Sequence, residues 1–211
     1  LHCLGKDAYR FYTESKAVTQ HWFDEDEKKV IKYLSYAKVI IHELEHLKQA
    51  DVKEENKTDL KTLQIGGLFH DVGKIGVPDS ILLKTSKLTD DEYSEIKNHP
   101  SIGAHILGSA AVFKDIVPIV KHHHEKYDGN GYPSKLKGEQ IPYLARIASV
   151  ADAFDAMTSR RNYRNALNLE YVKQELKNNS GTQFDPELAR VFLEILENNY
   201  EEILEIQEKY K

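Results

Sequence analysis

The chemistry this chain could perform is concentrated in its histidines. Ten are present in 211 residues. Several fall in short segments broken by Gly or Pro and lying near acids: His70-Asp71, His99-Pro100, and His123-His124-Glu125, with Asp152 further along. Neutral imidazole and carboxylate are the ligands that suit iron, manganese or zinc. Neighbours on a helix diverge by roughly 100°, so a His-Asp pair can give its imidazole to one ion while the carboxylate bridges toward a second. Two ions about 3.5–4 Å apart can share a hydroxide and clamp an in-line phosphoryl displacement. A single histidine in a helical protein is ordinarily surface or hydrogen-bonded core, and His2, His21, His105 and His122 are read that way. The repetition of such segments is what points to a metal site.

These residues need elements to position them, and the apolar spacing is helical nearly throughout. Residues 1–27 read as an N-terminal segment or linker. An acidic run at Asp24–Glu27 favours a helix start, and Val30, Ile31, Leu34, Ala37, Ile41 and Leu44 carry it through about residue 50. Residues 51–59 read as a polar loop. A second helix follows with Leu60, Leu63, Leu68 and Phe69 on its apolar side, punctuated by Gly73, Gly76 and Pro78. Thr89 and Glu92 form a capping-box pattern opening a third helix toward His99. Pro118 to Glu125 and Ala145 to Met157 read as further helices. Pro186 opens a final one with Leu188, Val191, Phe192, Ile195, Leu196, Ile203 and Leu204 on one face. No alternating run is long enough for a sheet, so the class is an all-α bundle.

Composition excludes several functions. The formal charge of −5 does not suit a generic nucleic-acid coat. The lone Cys3 excludes a disulfide framework or thiolate metal cluster within one chain. No apolar run approaches the roughly 18 residues of a membrane span. The chain starts at Leu1 rather than Met, so a longer parent chain is expected, and no signal-peptide pattern stands at its start.

His70-Asp71-Val72-Gly73-Lys74 resembles the signature of HD-domain phosphohydrolases. The run His123-His124-Glu125-Lys126-Tyr127-Asp128-Gly129-Asn130-Gly131-Tyr132-Pro133 resembles the second signature of the HD-GYP family. Ile75 to Pro78, Lys97 to Pro100, Ile141-Pro142, Ala145 to Ile147, Val150 to Ala156 and Phe184 to Pro186 agree with it, from about Leu60 to about Phe192. The resemblance implies an HD-type helical bundle over 28–211 with a metal centre in its core. It implies hydrolysis of cyclic di-GMP to pGpG, and on to GMP, at two or three divalent ions, iron or manganese foremost, with zinc or others as alternatives. It makes His70, Asp71, His99, His123, His124 and Asp152 the metal ligands, with Asp71 as the bridge. Lys74 would hold a phosphate oxygen or the nucleophile, and Tyr132 would touch the scissile phosphate or a guanine. Gly129 and Gly131 would supply positive φ and close approach. Arg161 and Arg164 would reach the substrate's phosphates and bases, and Asp155 would support the site or contact guanine.

The chain departs from the family at the first ligand, since no His-Ser-x-x-Val stretch precedes His70 at the expected distance. His42 and His46, spaced i, i+4 on one helix face, are the candidates. A different alignment sets Glu14 to Val18 in that place, with a long insertion after it. A site lacking the family's upstream Glu would hold two ions rather than three. Rival readings are a phosphodiesterase for 3′,3′-cGAMP, a catalytically weak cyclic di-GMP receptor, and a mononucleotide phosphohydrolase, which the Gly-Tyr-Pro loop argues against. The resemblance further implies a bacterial cytoplasmic module with an upstream sensor or receiver domain. The final helix would either close the bundle or form a homodimer.

Overall fold

The computed structural model describes residues 54–158, 168–198 and 200–209. The helix expected over about 28–50, with His42 and His46, lies outside these residues, as do Arg161 and Arg164. The described elements are helical: α1 Glu54–Phe69, α2 Asp79–Leu82, α3 Asp90–Ile96, α4 His99–Gly108, α5 Val117–His122, α6 Tyr143–Thr158, α7 Leu169–Asn178, α8 Pro186–Asn198 and α9 Tyr200–Lys209. Short 3-10 turns stand at Val72–Gly76, Ala111–Phe113 and Gly138–Gln140. Among the described residues there is no strand beyond one isolated bridge between Ser180 and Phe184.

Local chemistry sets the boundaries. Thr89 caps α3 reciprocally: its Oγ1 accepts from the Glu92 N–H at 3.2 Å, while Glu92 Oε2 accepts from the Thr89 N–H at 2.8 Å. Asn168 caps α7 through Oδ1, which accepts from Tyr171 N at 2.8 Å. Asp185 accepts from Glu187 N at 2.9 Å at the start of α8. Pro100 and Pro118 sit in the first turns of α4 and α5, where a missing N–H costs nothing.

Several expectations need correction. Residues 54–59 belong to α1 rather than to a polar loop, because Glu, Asn and Lys without a Gly or Pro breaker do not stop a helix. Leu68 is 49% exposed, so the buried side of α1 runs through Leu63 and not through it. The third helix ends at Ile96 instead of running on to His99, which opens α4. Pro100 lacks the N–H that continuing the ladder would need. Helix α7 matches no expected element; only Val172 and Leu176 of it are buried, too short an apolar pattern to register. On α9 Ile203 is buried but Leu204 is 40% exposed and leaves the apolar face.

Helix α6 is the centre of the larger core. Ala145, Ile147, Ala148, Val150, Ala151 and Phe154 are all buried, which marks a helix enclosed by neighbours. It packs on α1, α5, α7 and α8. Phe154 meets Phe192 of α8 edge-on, with centroids 5.0 Å apart at 86°. A smaller cluster gathers Leu107, Ile116 and Val120 with Phe69, Val72 and Phe113. The expected ligands sit where the two clusters meet: His123 directly follows α5, which gives Val120 to the smaller cluster and Ile119 to the larger, and Asp152 stands on α6 of the larger.

Candidate metal centre

Three of the histidines share one construction. His70 lies just past the end of α1, His99 past the end of α3, and His123 past the end of α5. The last carbonyls of a helix have no partner within it. The imidazoles supply one: Nδ1 of His70 donates to Gly67 O at 2.6 Å, that of His99 to Ile96 O at 2.6 Å, and that of His123 to Val120 O at 2.9 Å. A carbonyl oxygen only accepts, so each Nδ1 carries the proton. In its neutral form a ring so held has Nε2 as its lone-pair nitrogen, the tautomer a metal ligand needs. For His99 the vacancy is made by Pro100, which has no N–H to offer the Ile96 carbonyl.

These lone pairs converge. Ligand atoms of Asp71, His99, His123 and His124 all lie within 4.8 Å of one another. His99 Nε2 is 3.4 Å from His123 Nε2 and 3.2 Å from Asp71 Oδ1. His70 Nε2 is 3.4 Å from Asp71 Oδ2 and 3.9 Å from Asp152 Oδ1. His70, Asp71, His99, His123, His124 and Asp152, which the sequence resemblance groups as ligands, are thus gathered by α1, α4, α5 and α6 into one place. The Lys74 ammonium donates to Asp71 Oδ2, one turn further on.

The electrostatics fit cations. Burial lowers the His123 pKa well below the ordinary range, helped by His124 and His70. Burial, with His99 beside it, brings His124 to about 3. Both rings are neutral at pH 7, as ligation requires. Asp71 stays ionised: burial opposes this, but Lys74 and His70 hold its pKa well below normal. Burial also lowers that of His70, yet Asp71, Asp152 and the Gly67 carbonyl outweigh it and raise the value to about 9. The carboxylates therefore call for positive charge at this point, from a proton or a metal ion. Two Nε2 lone pairs 3.4 Å apart are likewise well placed to share a proton or a metal ion. The donor set fits divalent ions of the kind imidazole and carboxylate prefer.

Tyr132 stands beside the histidines, its ring 4.9 Å from that of His124. Burial raises its pKa, with Tyr93, Asp152 and Asp71 adding to the effect, so its hydroxyl is a donor at neutral pH. Its loop turns at Gly129, whose φ is 88°. Gly131 takes no positive φ, contrary to expectation; a Cβ there would run into Lys126 N and Glu125 Cα. Gly73 is likewise more than a helix stop. A Cβ would strike the His99 carbonyl, so backbone lies on backbone where the Asp71 turn meets α4. Asp155 is buried one turn after Asp152. His105 is exposed, and His122 faces Glu125 at 3.5 Å.

Two features escaped sequence reading. Glu125 is a buried acid whose bonds run to residues nine and eleven positions away, beyond any local pattern. Tyr93 is the electrostatic neighbour of Tyr132, with the Lys97 ammonium 4.3 Å above its ring. An aromatic and a lysine spaced i, i+4 ahead of His99 were its only signal.

The HD domain family model matches residues 49–188. A cyclic di-GMP phosphodiesterase of Vibrio cholerae is 43% identical over 136 residues, covering 61% of this chain and 28% of its own length. The cyclic di-GMP phosphodiesterase response regulator RpfG of Xanthomonas campestris is 41% identical over 140 residues, 65% of this chain and 37% of its own. A 3′3′-cGAMP-specific phosphodiesterase of Vibrio cholerae is 39% identical over 128 residues, 60% and 24%. The chain thus spans well under half the length of these relatives. Among solved structures, a cyclic GMP-AMP-specific phosphodiesterase of Vibrio cholerae shares the fold at a TM-score of 0.58 and 19% identity, over 84% of this chain and 49% of that one. The family model covers two thirds of the chain, including His70-Asp71 and the loop of Tyr132, and the chain belongs to the HD domain family.

Proposed function

We propose that this chain hydrolyses cyclic di-GMP to linear pGpG, and on to GMP, with the help of two or three divalent ions, iron or manganese foremost. The observation that carries the reading is the convergence of Asp71, His99, His123 and His124 within 4.8 Å, with His70 and Asp152 alongside. The relatives named for cyclic di-GMP point to the substrate. His70, Asp71, His99, His123, His124 and Asp152 would hold the ions, completed from the N-terminal side by His42 or His46. When bound, such ions supply positive charge to phosphoryl oxygens and bring the pKa of a bound water toward about 7. Lys74 would steady a phosphoryl oxygen as charge grows on it. The protonated Tyr132 hydroxyl would donate to the scissile phosphate or a guanine. Arg161 and Arg164 would clamp phosphates and bases, and Asp155 would contact guanine or support Asp152. Water adds across the phosphorus–O3′ bond, and the proton it loses ends on the departing 3′ oxygen.

The test is chromatography of products after manganese or ferrous loading in anaerobic buffer. Appearance of pGpG supports the reading, and intact cyclic di-GMP with both metals refutes it. The cGAMP-specific relative supports a second reading, in which 3′,3′-cGAMP is the preferred substrate; side-by-side rates decide. Binding without turnover, despite full metal content, would indicate a signalling receptor instead. The domain would begin near residue 28, behind a linker over 1–27, and act in the bacterial cytoplasm below a sensor or receiver, as the response-regulator relative suggests by its name. Among the described residues no helix is long and apolar enough to cross a membrane. Pairing into a homodimer would have to use surfaces other than the buried face of α8.

A further inference from the structure

Glu125 follows His123 and His124 directly, yet its carboxylate serves another purpose. It is 2% exposed. Oε1 accepts from Ser134 N at 2.7 Å and Oε2 from Leu136 N at 3.1 Å, with His122 Nδ1 3.5 Å from Oε1. These bonds hold the returning limb of the loop that carries Tyr132. The outgoing limb is fixed separately. Gly131 lies flat against the Lys126 and Glu125 backbone, and Tyr132 N donates to His124 O at 3.2 Å. Tyr132 is therefore gripped from both sides by residues contiguous with the histidine pair. A buried carboxylate accepting two backbone N–H groups makes strong, charge-assisted bonds that a neutral residue does not replace.

We propose that Glu125 is a positioning residue that fixes the Tyr132 hydroxyl relative to the centre at His123 and His124, by clamping the loop through Ser134 and Leu136. The claim deepens the proposed function and rests on it for the chemistry Tyr132 performs. It makes His123-His124-Glu125 a unit in which two imidazoles face the centre and the third side chain aims the substrate-facing tyrosine at it.

The experiment compares Glu125→Gln, Tyr132→Phe and the double variant in the metal-loaded protein. Glutamine keeps the shape but sets an NH2 against one of the two backbone donors. In Glu125→Gln, amide exchange at Ser134 and Leu136 should accelerate while that of Val150 and Phe192 in the core stays unchanged. Metal per chain should hold, and kcat on cyclic di-GMP should fall about a hundredfold, as small misplacements do. In the Tyr132→Phe background the same change should cost much less, because both act through one hydroxyl. Unchanged exchange overturns the clamp. Fully additive losses overturn its action through Tyr132. Loss of metal would make Glu125 a support of the histidines and overturn the proposal too. If Glu125→Gln fails to fold, Glu125→Asp, which draws the charge back by one carbon, carries the same comparison. Exchange is read whether or not cyclic di-GMP is cleaved, so a wrong substrate and a wrong clamp give different results.

Discussion

At the residue scale the centre is governed by which nitrogen of each imidazole holds the proton. The carbonyls of Gly67, Ile96 and Val120 keep a proton on Nδ1 of His70, His99 and His123, which leaves Nε2 as the nitrogen open to a cation. Asp71 is the common neighbour, within 3.4 Å of both His70 and His99. Asp71→Ala should therefore abolish metal retention together with turnover, as read by elemental analysis and product chromatography. Tyr132→Phe should leave metal content unchanged and lower turnover; equal activity would make the tyrosine structural only. The grouping of His70, Asp71, His99, His123, His124 and Asp152, with Tyr132 beside them, was legible in the sequence through the two motifs that resemble the family signatures. The Nδ1 partners were not, since they depend on where each helix stops, and the reading carried the third helix on toward His99. Glu125 stood out in the sequence as an acid beside the histidine pair, but its role did not, because its partners Ser134 and Leu136 lie across a closed loop.

At the element scale Pro100 is the pivot. It ends α3, starts α4 and leaves the Ile96 carbonyl to His99. Pro100→Ala restores a competing N–H, and metal affinity should weaken by about tenfold or more, the usual effect of losing a ligand's supporting bond; competition with a chelator measures it. The capping box of α3 predicts a pH effect. Lys84, then Thr89, holds the Glu92 pKa below its ordinary 4.5. A depressed folded value means that the stabilisation is complete above about pH 4.5 and is lost as pH falls through the folded pKa. The stability difference between the native chain and Glu92→Gln, followed by urea unfolding, should shrink on acidification through that window and stay flat above pH 6. The capping box was readable because both partners lie within four residues. Helix α7 was not, because its two buried residues gain their meaning only from packing on α6 and α8.

At the scale of the whole molecule, the centre ties together elements that the apolar clusters leave partly separate. The Val72–Gly76 turn lies on α4 through Gly73 and Gly103, where only hydrogen fits. Ions spanning Asp71, His99, His123 and Asp152 would brace these elements against α6. Loading at a hundredfold excess over Kd should raise stability by about 2.7 kcal/mol, hence Tm by about 5–10 °C for a domain of this size; calorimetry with and without chelator checks it. The Arg146 guanidinium joins α6 to the buried Asp185 at the start of α8 and also donates to Ile141 O at 3.1 Å. Arg146→Met would strand the aspartate charge and should destabilise the protein by about 3–5 kcal/mol in urea unfolding. The imidazoles that finish α1, α3 and α5 have one last consequence, for which replacements the fold accepts. An iron or manganese ion would take aspartate or glutamate in place of His70, His99 or His123. An ionised acid has no hydrogen to give the backbone carbonyl behind it, so the demands of the helix terminus narrow the choice to a side chain with two opposed faces, one giving a hydrogen and one receiving a cation.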